Sequence, residues 1–195
     1  MLRFFVTALC CLLMTCAALA QETKEAAKPS PAEGYNIHVV APHLVDGKQM
    51  GPYHHYCKVV APDPQIVCLI FESTEPNAML MQVEYIWAKS LTRSKVPLKQ
   101  WNKYWHDHAV EIAGGRVKVL DMPDDKAKEV ADIVSKTDGY IIHIPFAGNI
   151  PDAGKVSFAQ AVGHKPMTQA EYQKSALKMP QATTVTPPDM HAEKK

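Results

Sequence analysis

The chain has 195 residues, of which 47% are hydrophobic and 21% are charged. This balance excludes a fully disordered chain, a collagen, a coiled coil and a polytopic membrane protein, and it leaves room for one globular domain with tails. The 21 basic and 20 acidic residues nearly cancel, to a net charge of +1. We therefore expect no nucleic-acid partner, because binding phosphates requires a basic face.

The first 20 residues have the pattern of a secretory signal peptide. Arg3 precedes an apolar run that is shorter than a membrane span, and a small-residue cleavage site (ALA) stands at 18–20. The predicted location is therefore the periplasm or the cell exterior. A second kind of N-terminal processing stays open, because LMTC at 13–16 is similar to a lipoprotein box. In that case Cys16 would carry a lipid and anchor the chain to a membrane.

Polar segments flank the predicted folded part of the chain. Residues 21–33 contain prolines and no apolar run, and they predict a flexible tether. Residues 173–195 are similar in composition and predict a disordered tail. The sequence thus predicts a single domain over residues 34–172, which is long enough to bury a core without help from disulfides or metals.

The first half of this domain is rich in β-forming residues. Extended segments are predicted at 35–45, 53–60 and 65–72. The APDP turn at 61–64 joins the last two segments as a hairpin. Residues 79–87 fit a strand and a helix equally well.

Helical patterns enter in the second half. A helix is predicted over 97–106 with proline near its first turn, followed by two short strands over 109–120 that are hinged at a glycine pair. An amphipathic helix is predicted over 124–136 and a buried strand over 139–146. The combination predicts an α+β fold with a mainly antiparallel sheet and a few packed helices.

Two close pairs of histidines are candidates for chemistry, His54-His55 and His106/His108. On a strand, residues two apart point to the same side, so His106 and His108 would be able to share a metal ion. On a helix they would point about 200° apart and could not. The interpretation depends on where the predicted helix ends, and the alternative is that His108 is a core histidine.

Glu84 is the candidate carboxylate, because it lies among apolar residues, where a buried acid needs a partner. It either completes a site with His106 and His108 or lies on an exposed face. Neighbouring strand residues point to opposite faces, so we take His55 as a further ligand and His54 as its substitute. The predicted cofactor is a divalent ion: zinc, iron, manganese or copper.

Other polar residues near these candidates are expected to play no part in the site. Glu111 is placed on the opposite strand face from the HxH pair, and the isolated histidines are taken as structural or surface residues. These isolated residues are His38, His43, His143 and His164.

Cys57 and Cys68 remain after signal cleavage, and three states are open for them. A turn near 61–64 would place them opposite one another, where a disulfide is geometrically possible. Free thiols and a metal thiolate formed by Cys57 are the alternatives.

An ordered set of short motifs resembles the oil body-associated protein family, and the match covers about residues 35–146. The motifs are HHYC at 54–57, Cys68, ES at 72–73, PNA at 76–78, EYI at 84–86, WHDH at 105–108 and Glu111 with Gly114. The resemblance implies association with seed oil bodies for plant members and export or lipidation for bacterial members such as this chain. It implies no reaction. The reducing setting of the plant members argues against an obligatory Cys57–Cys68 disulfide.

The sequence therefore predicts an exported periplasmic or envelope protein of uncharacterised activity with a His/Glu metal site. The first alternative is a non-catalytic lipid- or envelope-associated protein, such as a lipoprotein. The second is a structural module whose histidines are simply packed. Whether the protein is an enzyme is left open.

Overall fold

The computed structural model describes residues 30–177. The strands in this range are β1 (Ile37–Val45), β2 (Lys48–Ala61), β3 (Gln65–Phe71), β4 (Leu80–Ala88), β5 (Trp105–Asp107), β6 (Lys118–Leu120), β7 (Thr137–His143), β8 (Phe146–Ala147), β9 (Ile150–Pro151) and β10 (Ser157–Ala161). The helices are α1 (Lys89–Lys95), α2 (Leu98–Tyr104), α3 (His108–Ala113), α4 (Asp124–Val134) and α5 (Gln169–Leu177). The predicted signal segment, Cys16 and most of the predicted tether lie outside the described residues.

Six of these strands close into an antiparallel barrel. They pair in the order β1, β2, β3, β4, β7 and β10, and β10 pairs back with β1. The short strands β5 and β6 add to β7 and β1. A closed ring removes unpaired strand edges, and in a small barrel the inward side chains fill the interior. The predicted α+β class with a mainly antiparallel sheet is confirmed, and the closure of the sheet is a feature that the sequence did not predict.

The hairpin of β2 and β3 shows how the chain alternates between the two sides of the barrel wall. Tyr53, His55 and Cys57 are buried inside, whereas the residues between them are only partly buried. Cys57 lies opposite Cys68 in the register of the hairpin. The two form a disulfide with their Cα atoms 4.0 Å apart, which is one of the three states that the sequence left open.

The region around the HxH pair differs from its prediction. Helix α2 ends at Tyr104, before His106, and the chain continues as strand β5. The prediction of two short strands over 109–120 is wrong in its first half, where α3 forms. The carboxylate of Asp107 accepts a hydrogen bond of 2.8 Å from the backbone N–H of Ala109. This side-chain cap satisfies a first-turn donor and favours a helix at this point.

The remaining elements lie close to their predicted positions. The ambiguous segment 79–87 is strand β4, and the helix predicted over 124–136 is confirmed as α4. Asp124 and Asp125 occupy its first turn, where negative charge complements the helix dipole. The last helix runs to Leu177, five residues beyond the predicted end of the folded part, and residues 178–195 of the predicted tail lie outside the described residues. None of the helices in the described part of the chain is long and apolar enough to cross a membrane.

Helix α4 lies over a cavity inside the barrel wall. The cavity has a volume of about 90 Å³ and is lined on the helix side by Val130, Ala131 and Val134. Most of its other walls are apolar, but Glu84 and His108 also border it. Ionisable groups at the edge of an apolar cavity need specific partners, and those partners define the candidate site.

Candidate metal centre

Glu84 lies at the centre of a buried cluster of imidazole rings. It points inward from β4 and is 3% exposed. Its Oε1 atom is 3.1 Å from Nε2 of His106 and 3.2 Å from Nε2 of His108. These three residues form a group whose ligand atoms all lie within 4.8 Å of one another, close enough to hold a metal ion.

The two histidines of the HxH motif reach Glu84 from different secondary structures. His106 is the middle residue of β5, and His108 is the first residue of α3. His106 lies directly opposite Gly139 of β7. A Cβ atom on Gly139 would collide with Oε1 of Glu84 and Nε2 of His106. A residue without a side chain is therefore required at 139 for the cluster to form.

The orientation of His108 is determined by Thr137. The hydroxyl of Thr137 donates its proton to the backbone carbonyl of Val134, 2.6 Å away. The hydroxyl oxygen and the backbone carbonyl oxygen of Thr137 can therefore only accept a hydrogen bond from His108. Nδ1 of His108 lies 2.9 Å from the hydroxyl oxygen and 3.2 Å from the carbonyl oxygen of Thr137. Nδ1 therefore carries a proton, and Nε2 is directed at Glu84. Metal-binding histidines are held by this kind of contact at the second nitrogen.

The charges in this cluster depend on one another. Burial alone would raise the pKa of Glu84, but hydrogen bonds from His106 and His108 outweigh it and hold that pKa well below its usual range. Burial also opposes a charge on His108, yet the bond to Glu84 raises its pKa to about 9. Without a metal, Glu84 and His108 thus form a carboxylate–imidazolium pair, and a cation at this place would replace the proton on Nε2.

Asp107, between the two histidines, points away from the cluster into a network of charged groups. Its carboxylate lies 2.6 Å from Nζ of Lys89 and 2.7 Å from Nη2 of Arg93. Arg93 also bonds to Asp138 of β7 at 2.7 Å, and Nε1 of Trp101 donates to Asp138 at 3.0 Å. The network ties β5 to β7 and so fixes the positions from which His106 and His108 extend.

His55 and His43 border the same cluster from the neighbouring strands. Nε2 of His55 is 4.0 Å from Oε2 of Glu84 and 3.1 Å from Nε2 of His43. Burial, followed by the neighbouring histidine, lowers the pKa of His43 to about 3. Burial likewise lowers the pKa of His55, against the opposing effect of Glu84. Both rings are therefore neutral at physiological pH and able to bind a cation.

Glu111 is the second carboxylate of the cluster. It lies one helical turn after His108 on α3, and its Oε2 is 3.8 Å from Nε2 of His106. Burial raises its pKa above the usual value. Within residues 30–177, Oε1 of Glu111 and Nδ1 of His106 have no hydrogen-bond partner. Unpaired buried polar atoms are uncommon in folded proteins and call for a ligand, ion or water.

The structure brings together four of the sequence candidates: His55, Glu84, His106 and His108. It places His54 on the outer face of β2, where its Nδ1 is 2.9 Å from Nε2 of His38. The expectation for Glu111 is wrong, because it faces the cluster; His43, taken as a structural or surface residue, is buried beside His55. Glu111 follows His108 by three residues, a spacing that shares one face of a helix. His43 continues the inward alternation of β1.

Comparison with known proteins gives the family of this chain. Residues 29–151 match the family described as "Protein of unknown function (DUF1264)". The chain belongs to this family. It is 29% identical over 116 residues to oil body-associated protein 1B of Arabidopsis thaliana, covering 58% of this chain and 47% of the relative. It is 32% identical over 94 residues to oil body-associated protein 1A of Zea mays, covering 46% of this chain and 37% of the relative. No solved structure matches it.

The curated relatives confirm the resemblance to oil body-associated proteins that the short motifs indicated. The chain spans about half the length, or less, of these curated relatives. All residues of the cluster, from His43 to Glu111, fall inside the DUF1264 segment. The centre therefore belongs to the family portion of the chain.

Proposed function

We propose that this DUF1264 protein is an exported metalloprotein that binds a divalent transition-metal ion on Glu84, His106 and His108. The observation that supports this most is the approach of two Nε2 atoms to one carboxylate oxygen, at 3.1 and 3.2 Å. Ligands that bind one ion at 2.0–2.2 Å are separated from each other by about 3.0–3.5 Å. These two distances fit an ion held by all three residues, whose ligand atoms lie within 4.8 Å of one another.

The kind of donor supports the same conclusion. Two imidazole nitrogens and one carboxylate oxygen suit zinc, iron or copper better than calcium or magnesium, which prefer oxygen ligands. Three protein ligands also leave a coordination position for water or a substrate, as in catalytic metal sites. Glu84 and His108 border the cavity, so a small ligand there would reach that position.

A bound ion would supply Lewis acidity and a more acidic water molecule. The protein contributes two further properties to such chemistry. The mainly apolar cavity walls limit the entry of bulk water, which strengthens electrostatic interactions inside. Glu111, whose pKa is raised by burial, is placed to accept or return a proton beside His106. These features fit a metal-dependent enzyme.

Elemental analysis of the purified protein tests this proposal. We expect at least one equivalent of zinc, iron, manganese or copper in the wild type. We expect loss of that metal in the His106→Ala/His108→Ala double variant. Circular dichroism of both proteins establishes that the variant remains folded, and Glu84→Gln serves as a nearly isosteric second variant. A wild type that binds no divalent ion after incubation with each of the four metals contradicts the proposal.

Association with a lipid or envelope surface is the second candidate function. It is supported by the name of the relatives, which are oil body-associated proteins, and by the signal and lipoprotein patterns at the N-terminus. In this case membrane contact would come through a lipid on Cys16. Cell fractionation of wild type and Cys16→Ser tests it. Release of the variant into the soluble fraction supports an anchor, and an unchanged soluble distribution of both proteins argues against one.

A further inference from the structure

A second pair of histidine nitrogens lies beside the Glu84 triad. Nε2 of His43 and Nε2 of His55 are 3.1 Å apart, and the two residues are 2% and 3% exposed. A neutral imidazole has one N–H and one lone pair. Two ring nitrogens at this distance therefore need either a shared proton or a cation between them.

His55 has its own proton on the far side of the ring. Its Nδ1 atom is 3.1 Å from the backbone carbonyl oxygen of Tyr53. A carbonyl oxygen only accepts hydrogen bonds, so Nδ1 of His55 is the donor. Nε2 consequently directs its lone pair toward His43.

His43 is oriented by Gln82 in the same manner. Its Nδ1 atom faces Oε1 of Gln82, and the amide nitrogen of Gln82 is 3.2 Å from Nδ1 of His143. In this arrangement Nδ1 of His43 is also a donor, and two lone pairs face each other. A reversed Gln82 amide would instead allow His43 to donate a proton to His55. A metal site and a proton-sharing pair are thus the two alternatives that an experiment has to separate.

The position of Glu84 favours the metal site. Its Oε1 atom contacts Nε2 of His106 and Nε2 of His108, whereas its Oε2 atom lies 4.0 Å from Nε2 of His55. The two oxygens of one carboxylate can bind two ions, and such ions lie about 3.5–4 Å apart in two-metal enzymes. We propose that His43, His55 and Oε2 of Glu84 form a second metal position, so that Glu84 bridges two divalent cations.

This inference rests on the proposed function, because Glu84 can bridge only if the first position also binds a metal. Two ions would bring four positive charges, against the two negative charges of Glu84 and Glu111 when both are ionised. Two hydroxide ions, or one small oxyanion with two negative charges, entering through the cavity would complete the charge balance. The expected ligand class is therefore an anionic oxygen donor, and the expected metals are first-row divalent ions such as zinc and cobalt.

Metal stoichiometry is the direct test. The full chain, purified after any natural processing, is stripped with a chelator and titrated with Zn(II) by calorimetry and elemental analysis. We expect two equivalents for the wild type and one for His43→Gln. The matched control is His38→Gln, a buried histidine of the same strand whose ring contacts Asp121 and His54 outside the barrel. The control should bind two equivalents.

Each other result has a distinct meaning. One equivalent in the wild type overturns the second position and leaves the proposed function intact, with His43 and His55 as a proton-sharing pair. Zero equivalents overturn both. Two equivalents in His43→Gln overturn the assignment of His43.

A measurement on the wild type alone covers the case in which His43→Gln does not fold. Electron paramagnetic resonance follows a titration of the wild type with Co(II). We expect the signal per cobalt to fall once the second equivalent binds, because the Glu84 carboxylate couples the two ions. A constant signal per cobalt up to saturation overturns the bridge.

Discussion

The adjacent residues His54 and His55 lie in two histidine clusters on opposite sides of the barrel wall. Outside, Nδ1 of His38 is 2.6 Å from Oδ2 of Asp121, an aspartate whose side chain is 76% exposed, and the His38 ring stacks on Tyr56 with centroids 4.6 Å apart. Inside, His55 belongs to a group around Glu84, which is 3% exposed. Water can solvate the outer carboxylate, whereas the inner one depends on its imidazole partners. The same residue types thus form a surface contact on one side and a candidate metal centre on the other.

The largest difference in the free energy of unfolding is expected between variants that neutralise the inner carboxylate, Glu84, and the outer one, Asp121. In metal-free protein, Glu84→Gln leaves the buried His108 without its counter-charge, and we expect a loss of about 3–5 kcal/mol in the free energy of unfolding. Asp121→Asn affects an exposed partner and should cost no more than about 1 kcal/mol. Urea denaturation in the presence of a chelator measures both. Equal losses for the two variants would show that the inner cluster is solvated like the outer one.

The next contrast concerns the glycine that gives the inner cluster its space. Gly139→Ala places a methyl group against Glu84 and His106, and we expect a cost of about 1–3 kcal/mol or more together with loss of metal binding. Gly148→Ala is the matched control, because its added Cβ meets nothing within 4 Å. The control has a positive φ of 67°, so it should lose some stability but retain its metal. Metal binding by Gly139→Ala at the wild-type level would contradict the arrangement of the triad.

A smaller effect is expected from pH in the metal-free protein. The pKa of His108 is raised from 6.5 to about 9, so its contribution to stability is complete below pH 6.5 and is lost as the pH rises to 9. The pKa of Glu84 is lowered. Its contribution to stability is therefore complete above the usual pKa of a glutamate and is lost as the pH falls toward the lowered pKa. We expect Tm to decline by a few degrees between pH 6.5 and 9, at about 2–4 °C for each kcal/mol.

The matched protein for this pH series is Glu84→Gln, in which the raised pKa of His108 disappears and the decline should flatten. Zinc loading should flatten it as well, because the metal replaces the titrating proton. A wild-type Tm that is constant or rises between pH 6.5 and 9 without metal would contradict the carboxylate–imidazolium pair.

The smallest effect separates the two neighbouring histidines. His54→Gln changes a partly buried residue on the outer face and should shift stability by about 0.5 kcal/mol or less, with metal content unchanged. His55→Gln should lower the metal content of the inner cluster from two equivalents to one. The comparison requires only denaturation curves and elemental analysis of the two variants. Loss of metal in His54→Gln with retention in His55→Gln would reverse the assignment of the two faces.

Local patterns in the sequence were sufficient for much of the fold. Alternation and the APDP turn predicted the β2–β3 hairpin, and the acidic first turn with an apolar face predicted α4. The prediction of a strand directly after residue 108 was wrong, because helix α3 forms there. The cap that Asp107 provides to α3 depends on the local backbone path. Strand closure from β10 to β1 joins residues far apart in the chain, and no local pattern reports it.

The sequence by itself determined which residue types are available for a site: an acid among apolar neighbours and a HxH pair after a short helix. Only the tertiary structure decided which of them meet. The pairing of β1 with β2 brought His43 beside His55, helix α3 turned Glu111 toward His106, and Gly139 left space for both Glu84 and His106. The physical reason is that side-chain alternation specifies two faces for each strand, whereas the pairing of strands from distant parts of the chain decides which face becomes the interior.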